Sequence, residues 1–555
     1  MDKIAKIDLS KRKVKVRDPN KDEQHFIGGK GLGFKILNED PRRDLIIFAS
    51  GPLTGLRLSG LSRCEAVFIS PLTGFVADSS CGGFFGGELR KAGYLAIILQ
   101  GKSDKPVYIK IEDKDIEICD ADWLWGRDTF ETEDLLKREL GKRFQIASIG
   151  QAGENLVRFA CIEHAKGREF GRCGGGAVLG TMRVKAIAVK GSLDLEETIA
   201  DYEKFERLRE EFEGRLEVLE GMSKFGTPKM MLLTNELKVL PTRYWQMGGF
   251  DSEIFDEVVK LYVRKRSCFG CKVGCAKVSR FDGNEVEGPE YETLFAFGSL
   301  CGVKDAKIVA EANLLCDTFG MDTISAGNVI AFLFYLCERG IIDERYEFGD
   351  GKTVLELIRK IAFREGIGDK LADGVKRFSE QLGVEGVHVK GLEPPGYDPR
   401  GLMGIALGYA VSYRGACHIK HCIYRPNLSC GLDRFKPDRQ AETLIKLENF
   451  YGFTDCLIIC RFLTLPEMGP LHKEDVVELY NAVTGQDLDV KNMLKRGGEV
   501  INLARKINIK LGLRREDDRL PEFFFKVPTE NGTVDRDAFE RMLKEYYELR
   551  GWHKI

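Results

Sequence analysis

The segment CFGCKVGC places Cys268, Cys271 and Cys275 at C-x2-C-x3-C spacing, three thiols within eight residues. Zinc would ask for a second cysteine pair or a histidine pair at ribbon or finger spacing. No second pair follows, and no histidine occurs between Cys275 and His388. An iron–sulfur cubane commonly takes three cysteines from a short segment and a fourth from far away. Gly270 and Gly274 free the backbone to wrap such a cluster and to point amide N–H groups at its sulfides. The spacing therefore favours an iron–sulfur cluster over zinc. It leaves the fourth ligand open among Cys417, Cys422, Cys430, Cys456 and Cys460.

Other short patterns carry less. GGKGLGFK (28–35) reads G-x-G-x-G rather than the dinucleotide pattern G-x-G-x-x-G, and no acidic residue stands at the right distance after a strand. GKS (101–103) and GKT (351–353) lack the leading glycine of a phosphate-binding loop, with Ala96 and Tyr346 in its place. Neither dinucleotide nor ATP binding is supported. The metalloprotease pattern H-E-x-x-H and the hydrolase pattern G-x-S-x-G are absent.

The elements that must position the cysteines can be read from hydrophobic periodicity. Short β-branched runs recur between Gly/Pro turns up to about residue 195: LIIFAS, EAVFIS, YLAIIL, VYIKI, FQIASIG and KAIAVK. From DYEKFERLREEFEG onward the spacing becomes helical, as in IVAEANLLCDTFG and VIAFLFYLCERG, each closed by a glycine. The expected class is α+β, with a β-rich unit (1–196) followed by two mainly helical units (197–390 and 391–555). The second boundary is set at the Gly/Pro cluster GLEPPGYDPRG. No repeat of 20–50 residues is visible.

Composition excludes some classes. With 84 basic and 86 acidic residues, the chain lacks the basic excess of a nucleic-acid binder. The longest apolar run, Val329 to Cys337, has nine residues, against roughly 20 for a membrane span. The N-terminus lacks the apolar core of a signal peptide, so a cytoplasmic location is expected. The remaining twelve of the 16 cysteines are expected to be small buried hydrophobes, Cys161 and Cys337 among them.

Nearly end to end, from FIGGKGLGFKIL to YYELRGW, the chain resembles the tungsten-containing aldehyde:ferredoxin oxidoreductases. GPLTG, SPLTGF, GGFFGGELRKAGY, ASIGQAGENLVRFA, EGPEYET, GDKLADG, YDPRG and RGACHIK carry the resemblance in order. It implies that Cys268, Cys271 and Cys275 hold a 4Fe–4S cluster. The fourth ligand falls on Cys460, which closes a late D-x-x-G-L-C motif read here as Asp455-Cys-Leu-Ile-Ile-Cys460.

The resemblance also implies tungsten, or molybdenum in its place, gripped by two pterins. Arg63, Ser80, Gly82, Arg168 and Arg172 would serve the pterin phosphates, bridged by Mg2+, and Glu169 stands where a backbone carbonyl is used for that magnesium. Without the resemblance these arginines would read as ordinary surface charge. Asp317, Gly320, Met321 and Asp322 in one acidic segment, and Asp455 and Ile459 in the other, would meet the pterin rings, with Lys420 at the same site. Glu292, His418 and Tyr397 would serve the chemistry. A carboxylate beside the metal can take a proton or orient water, and a histidine can polarise an aldehyde oxygen. The implied reaction converts an aldehyde and water to a carboxylate, with electrons leaving singly through the cluster to ferredoxin or a similar carrier. A second expectation within the same group is the catalytic subunit of a reductase complex acting on an aromatic acyl-CoA. A zinc-stabilised protein without catalysis is the third.

Three positions depart from the pattern. The dimer-bridging E-x-x-H motif reads Glu311-Ala-Asn-Leu314, so no interface iron is expected, although a homodimer or hetero-oligomer stays open. Ile458 stands where the late motif has glycine, and a different local backbone is expected there. Ser80 replaces an asparagine beside the phosphates.

Overall fold

The computed structural model describes residues 2–429 and 431–552. Cys430, one of the open candidates for the fourth ligand, lies outside them. The first 190 residues form two six-stranded sheets. The first contains β1 (Lys3–Asp8), β2 (Lys13–Arg17), β3 (Leu45–Ala49), β4 (Cys64–Ile69), β5 (Val76–Cys81) and β6 (Tyr94–Gln100), in the order β2-β1-β6-β3-β4-β5. The second contains β7 (Val107–Glu112), β8 (Asp115–Asp120), β9 (Gln145–Ser148), β10 (Ile162–His164), β11 (Arg168–Phe170) and β12 (Val184–Lys190). Read from its β8 edge, its order is β8-β7-β12-β9-β10-β11.

Adding six to each strand number of the first sheet therefore produces the second. In each sheet one central pair is parallel, β1 with β6 and β7 with β12, and every other pair is antiparallel. Helices Gly29–Glu39 and Thr129–Leu140 occupy corresponding connections, as do Phe85–Lys91 and Gly175–Met182. This is a duplication too long for a search over shorter repeats. Its trace in the sequence is C-G-G at 81–83 and again at 173–175, each time between an edge strand and a helix.

The two edge strands β5 and β11 meet. Ser70 donates its hydroxyl to the Cys173 carbonyl at 2.8 Å, and the Arg172 N–H donates to Ser79 Oγ at 3.2 Å. Ser80 and Gly82 on one half are thus set beside Arg168, Glu169 and Arg172 on the other. Strands β3 and β4 are buried along their whole length, which is why they read as unbroken apolar runs rather than alternating ones.

Beyond residue 196 the structure is mostly helical, with a small three-stranded sheet of Tyr262–Arg266, Ala276–Phe281 and Asn284–Glu287. The three cysteines occupy the loop between the first two of these antiparallel strands. The Gly/Pro segment 391–401 is not an exposed linker; every residue of 391–400 is buried. Among the described residues no helix is long and apolar enough to cross a membrane.

Candidate functional site

Both acidic segments end a long helix in the same way. Asp317 lies in the last turn of Ala306–Phe319, and Gly320 caps it in the left-handed region (φ 74°). Asp455 lies in the last turn of Gln440–Leu457, and Ile458 caps it at φ 61°. The different backbone expected at Ile458 is therefore not found. A left-handed β-branched residue costs about 1–2 kcal/mol. Full burial of an isoleucine side chain returns about 1.5–3 kcal/mol, so burial outweighs the strain. Ile458 is 2% exposed, and the room for it comes from Gly29. A Cβ at Gly29 would stand 2.3 Å from Ile458 Cδ1 and 2.2 Å from the Asp455 carbonyl oxygen. The glycines of GGKG thus admit the Asp455 turn.

Lys30 of the same stretch donates to Asp455 Oδ2 at 2.8 Å, and Arg461 Nη2 donates to Asp455 Oδ1 at 2.6 Å. Burial pushes the Asp455 carboxyl up, but Arg461, Lys30 and Lys420 together hold it at about 2. Lys420 is buried against Asp78 and lies 3.6 Å from Glu65 and 3.8 Å from Asp455. Burial raises Glu65 to about 8, while Lys420 holds Asp78 well below the usual carboxylate range against its own burial. Asp317 differs: burial and Glu169 push it far up, and Asn313 donates to it at 2.7 Å.

The arginines span the seam between the two sheets. Arg63 donates to Ser80 Oγ at 2.9 Å and to the Ser80 carbonyl at 2.8 Å. Arg168 pairs with Glu287 at 2.7 Å, and Arg172 with Asp322 at 2.9 Å. Arg168 Nη2 and Arg172 Nη1 are buried and have no hydrogen-bond partner among the described residues. A Cβ at Gly82 would lie 3.0 Å from Cys268 Sγ and 3.5 Å from Arg63 Nη1, so this glycine joins the cysteine loop to the arginines.

Cys460 leaves the Asp455 turn with its N–H donated to the Gly60 carbonyl at 2.9 Å. Its thiol is pushed up by burial and by Cys271 and Cys268, and Cys275 is pushed up by burial, Glu290, Cys460 and Cys268. The distant Cys460 therefore shares one neighbourhood with the loop. Among the other described candidates, Cys456 donates back to the Gly452 carbonyl, Cys422 faces the Ile419 carbonyl, and Cys417 accepts from Arg414. No three His, Cys, Asp or Glu side chains among the described residues converge on a single-ion site.

Two cavities open here. The larger, about 250 Å³, is lined by Arg63, Ser80, Tyr397, His418, Lys420, Asp455, Ile459 and Cys460 among others. The smaller, about 160 Å³, is lined by Glu169, Asp317, Met321 and Asp322 among others. Glu292 lines both. It sits in the short helical turn Tyr291–Thr293, which runs into a π-helical turn at Leu294–Ser299. The Gly396 N–H, from the buried segment 391–401, donates to Glu292 Oε2 at 2.9 Å.

Burial raises Glu292 to about 7. Its Oε1 has no hydrogen bond and lies 3.5 Å from His418 Nε2, close but outside hydrogen-bonding geometry. His418 is held neutral by burial and by Arg172, His421, Arg414 and Arg461. Tyr397 stacks 5.2 Å from the His418 ring and 4.4 Å from Tyr424. A carboxyl poised near neutrality beside a neutral imidazole suits proton transfer with an uncharged donor.

Several residues of this site escaped the sequence reading: Lys30, Glu65, Asp78, Arg414, Arg461, Glu287 and Glu290. Lys30 left a signal, since a lysine in a helix's first turn opposes the helix dipole and needs a reason. Glu311, in the altered E-x-x-H motif, lies 3.6 Å from Arg359.

A duplicated β unit with helical cover, two acid-tipped helices and a cysteine loop beside two joined cavities defines the architecture of a cofactor-holding redox protein. Residues 4–191 match the N-terminal domain of aldehyde ferredoxin oxidoreductase, and residues 203–554 match its domains 2 and 3. The chain belongs to the aldehyde ferredoxin oxidoreductase family. It is 37% identical to the tungsten-containing aldehyde ferredoxin oxidoreductases of Pyrococcus furiosus and Thermococcus kodakarensis, over 99% of this chain and 96% of theirs. It is 29% identical to the WOR-like subunit of an aliphatic sulfonate oxidoreductase of Pyrococcus furiosus, over 99% of this chain and 94% of that one. In fold it is similar to a chain of the active site complex BamBC of benzoyl coenzyme A reductase in complex with 1,5-dienoyl-CoA. The TM-score is 0.85 at 24% identity, covering 99% of this chain and 94% of that one.

Proposed function

We propose that the protein is a cytoplasmic tungsten-pterin oxidoreductase that oxidises an aldehyde to a carboxylate and passes the electrons through a 4Fe–4S cluster to ferredoxin. The observation that carries this reading is Glu292, shared by two cavities that are each backed by an acid-tipped helix end. Two pterins would lie with one against Asp317 to Asp322 and the other against Asp455 and Ile459. The unpartnered nitrogens of Arg168 and Arg172, with Arg63, Ser80 and Gly82, suit their phosphates. A Mg2+ at this seam would be held by the Glu169 carbonyl oxygen. Cys268, Cys271, Cys275 and Cys460 would hold the cluster.

The bound metal supplies two-electron redox chemistry. His418, neutral in its burial, donates a hydrogen bond to the aldehyde oxygen. Glu292 takes the proton released as water adds to the formyl carbon. Tyr397 and Tyr424 hold the imidazole plane by stacking.

Beside the cysteine loop the rim carries two exposed cations, each within 4.0 Å of a glutamate, Glu196 and Glu213. Arg57 and Lys272 are exposed, and a Cβ at Gly270 would lie 3.6 Å from Arg57 Cα. Such a rim would steer an acidic one-electron carrier.

Elemental analysis of anaerobically purified protein tests the reading. About four irons per chain with tungsten are expected, and zinc alone would overturn it. Cys460→Ala should abolish the iron content, whereas Cys422→Ala should retain it. Equal loss in both would remove Cys460 from the ligand set.

A further inference from the structure

Three arginines line the larger cavity, and two of them are accounted for. Arg461 pairs with Asp455, and Arg63 is held by Ser80 and faces the cluster cysteines. Arg425 is different. It follows Tyr424 on the short helix Tyr424–Leu428, and Tyr424 stacks on Tyr397 with its ring 5.9 Å from that of His418. Arg425 is 8% exposed and forms no ion pair among the described residues. Its Nε is buried without a hydrogen-bond partner, and Nη1 reaches only the Met230 sulfur at 3.9 Å, a weak acceptor. Glu290, an acid of the same cavity, takes its hydrogen bond from Thr227 instead. Met230, which Arg425 touches, and Leu465 and Met468 supply apolar lining of the same cavity.

A buried cation without an anion is costly, and proteins pair such groups or keep them for a ligand. We infer that Arg425 is a specificity residue that receives a carboxylate at the far end of the aldehyde substrate. The preferred substrate class is thus a short aldehyde acid, with its formyl carbon at Glu292 and His418. The planar guanidinium fork matches a carboxylate in two-point geometry. The same fork also fits a phosphate, so a phosphorylated aldehyde is the anionic alternative that the test separates. The inference rests on the reading of this cavity as an aldehyde site. The balanced conversion is –OOC–R–CHO + H2O to –OOC–R–COO– + 3 H+ + 2 e–. The formyl C–H bond breaks, a C–O bond to water's oxygen forms, and the two electrons are taken up, one each, by two molecules of the ferredoxin-type acceptor. The remote carboxylate is unchanged.

The test compares kcat/KM of the loaded enzyme for succinic semialdehyde and for butanal, with glyceraldehyde 3-phosphate as the phosphate arm. The wild type should prefer succinic semialdehyde by about 10–100-fold, the range for a hydrogen bond to a desolvated charge. Arg425→Met should erase most of that ratio, and Arg425→Lys should keep part of it. Equal kcat/KM for succinic semialdehyde and butanal in the wild type, an unchanged ratio in Arg425→Met, or a preference for the phosphate would each overturn the inference. Should Arg425→Met lack iron, calorimetry on the wild type decides: succinate binding tighter than butyrate supports the assignment, and equal binding overturns it. Butanal turnover without the preference strikes this inference alone. Failure of iron- and tungsten-loaded enzyme to oxidise any aldehyde strikes the functional reading beneath it.

Discussion

A carboxyl in Glu292's position has two properties that rarely coincide: a firm hold and an idle oxygen. Gly396 fixes Oε2, while Oε1 is buried without a hydrogen bond, 3.5 Å from His418 Nε2. Burial lifts its pKa to about 7, so the ionised base becomes available as pH rises through neutrality. Turnover should therefore climb with pH through about 7. Glu292→Gln should keep iron and tungsten, lose at least about 100-fold in kcat, and lose that pH limb. A Gln variant with wild-type turnover would remove Glu292 from the chemistry. Of this arrangement the sequence offered only candidates. EVEGPEYE holds several carboxylates, and no spacing rule says which one meets a glycine N–H from a segment about a hundred residues later.

At the scale of elements, the two acid-tipped helices owe their ends to different residues. Gly320 adopts the left-handed cap freely, whereas Ile458 adopts it because its side chain is buried over Gly29. Gly29 has φ 45° and cannot accept a Cβ beside the Asp455 carbonyl. Gly29→Ala should destabilise the protein by about 2–4 kcal/mol, overpacking and left-handed strain combined. It should also shift the Asp455 turn that carries Cys460. A lower Tm with reduced iron content is the expected result; an unchanged Tm would remove the role given to this contact. The glycine spacing was legible in the sequence. Its real purpose, room for a turn about 430 residues away, depends on a contact that periodicity does not encode.

For the whole molecule, duplication explains how two halves of the first 190 residues build one seam. Edge strands β5 and β11 meet, so equivalent C-G-G turns bring Ser80 and Gly82 beside Arg168 and Arg172. The cysteine loop closes over this seam, and its outer rim carries Arg57 and Lys272. Reversing both to glutamate should raise KM for an acidic ferredoxin about tenfold. It should also flatten the decline of wild-type rates with ionic strength. Salt dependence equal to wild type would place the docking surface elsewhere. Recovery of the native protein in a stable complex with other chains would favour the reductase-subunit alternative.

Residue types and local spacing by themselves determined much. They set the β-rich first part, the helical remainder, the cysteine segment and, through ordered motifs, the family. These follow from short-range physics: side-chain periodicity, turn chemistry and ligand spacing act within a few residues. Only the tertiary structure decided which remote groups share one neighbourhood. Cys460 beside the loop, Lys30 on Asp455, Gly396 on Glu292 and an unpaired Arg425 in the cavity all depend on chain packing. Burial, which raises the Glu292 carboxyl and the Cys460 thiol, is a property of the assembled molecule and of no single segment.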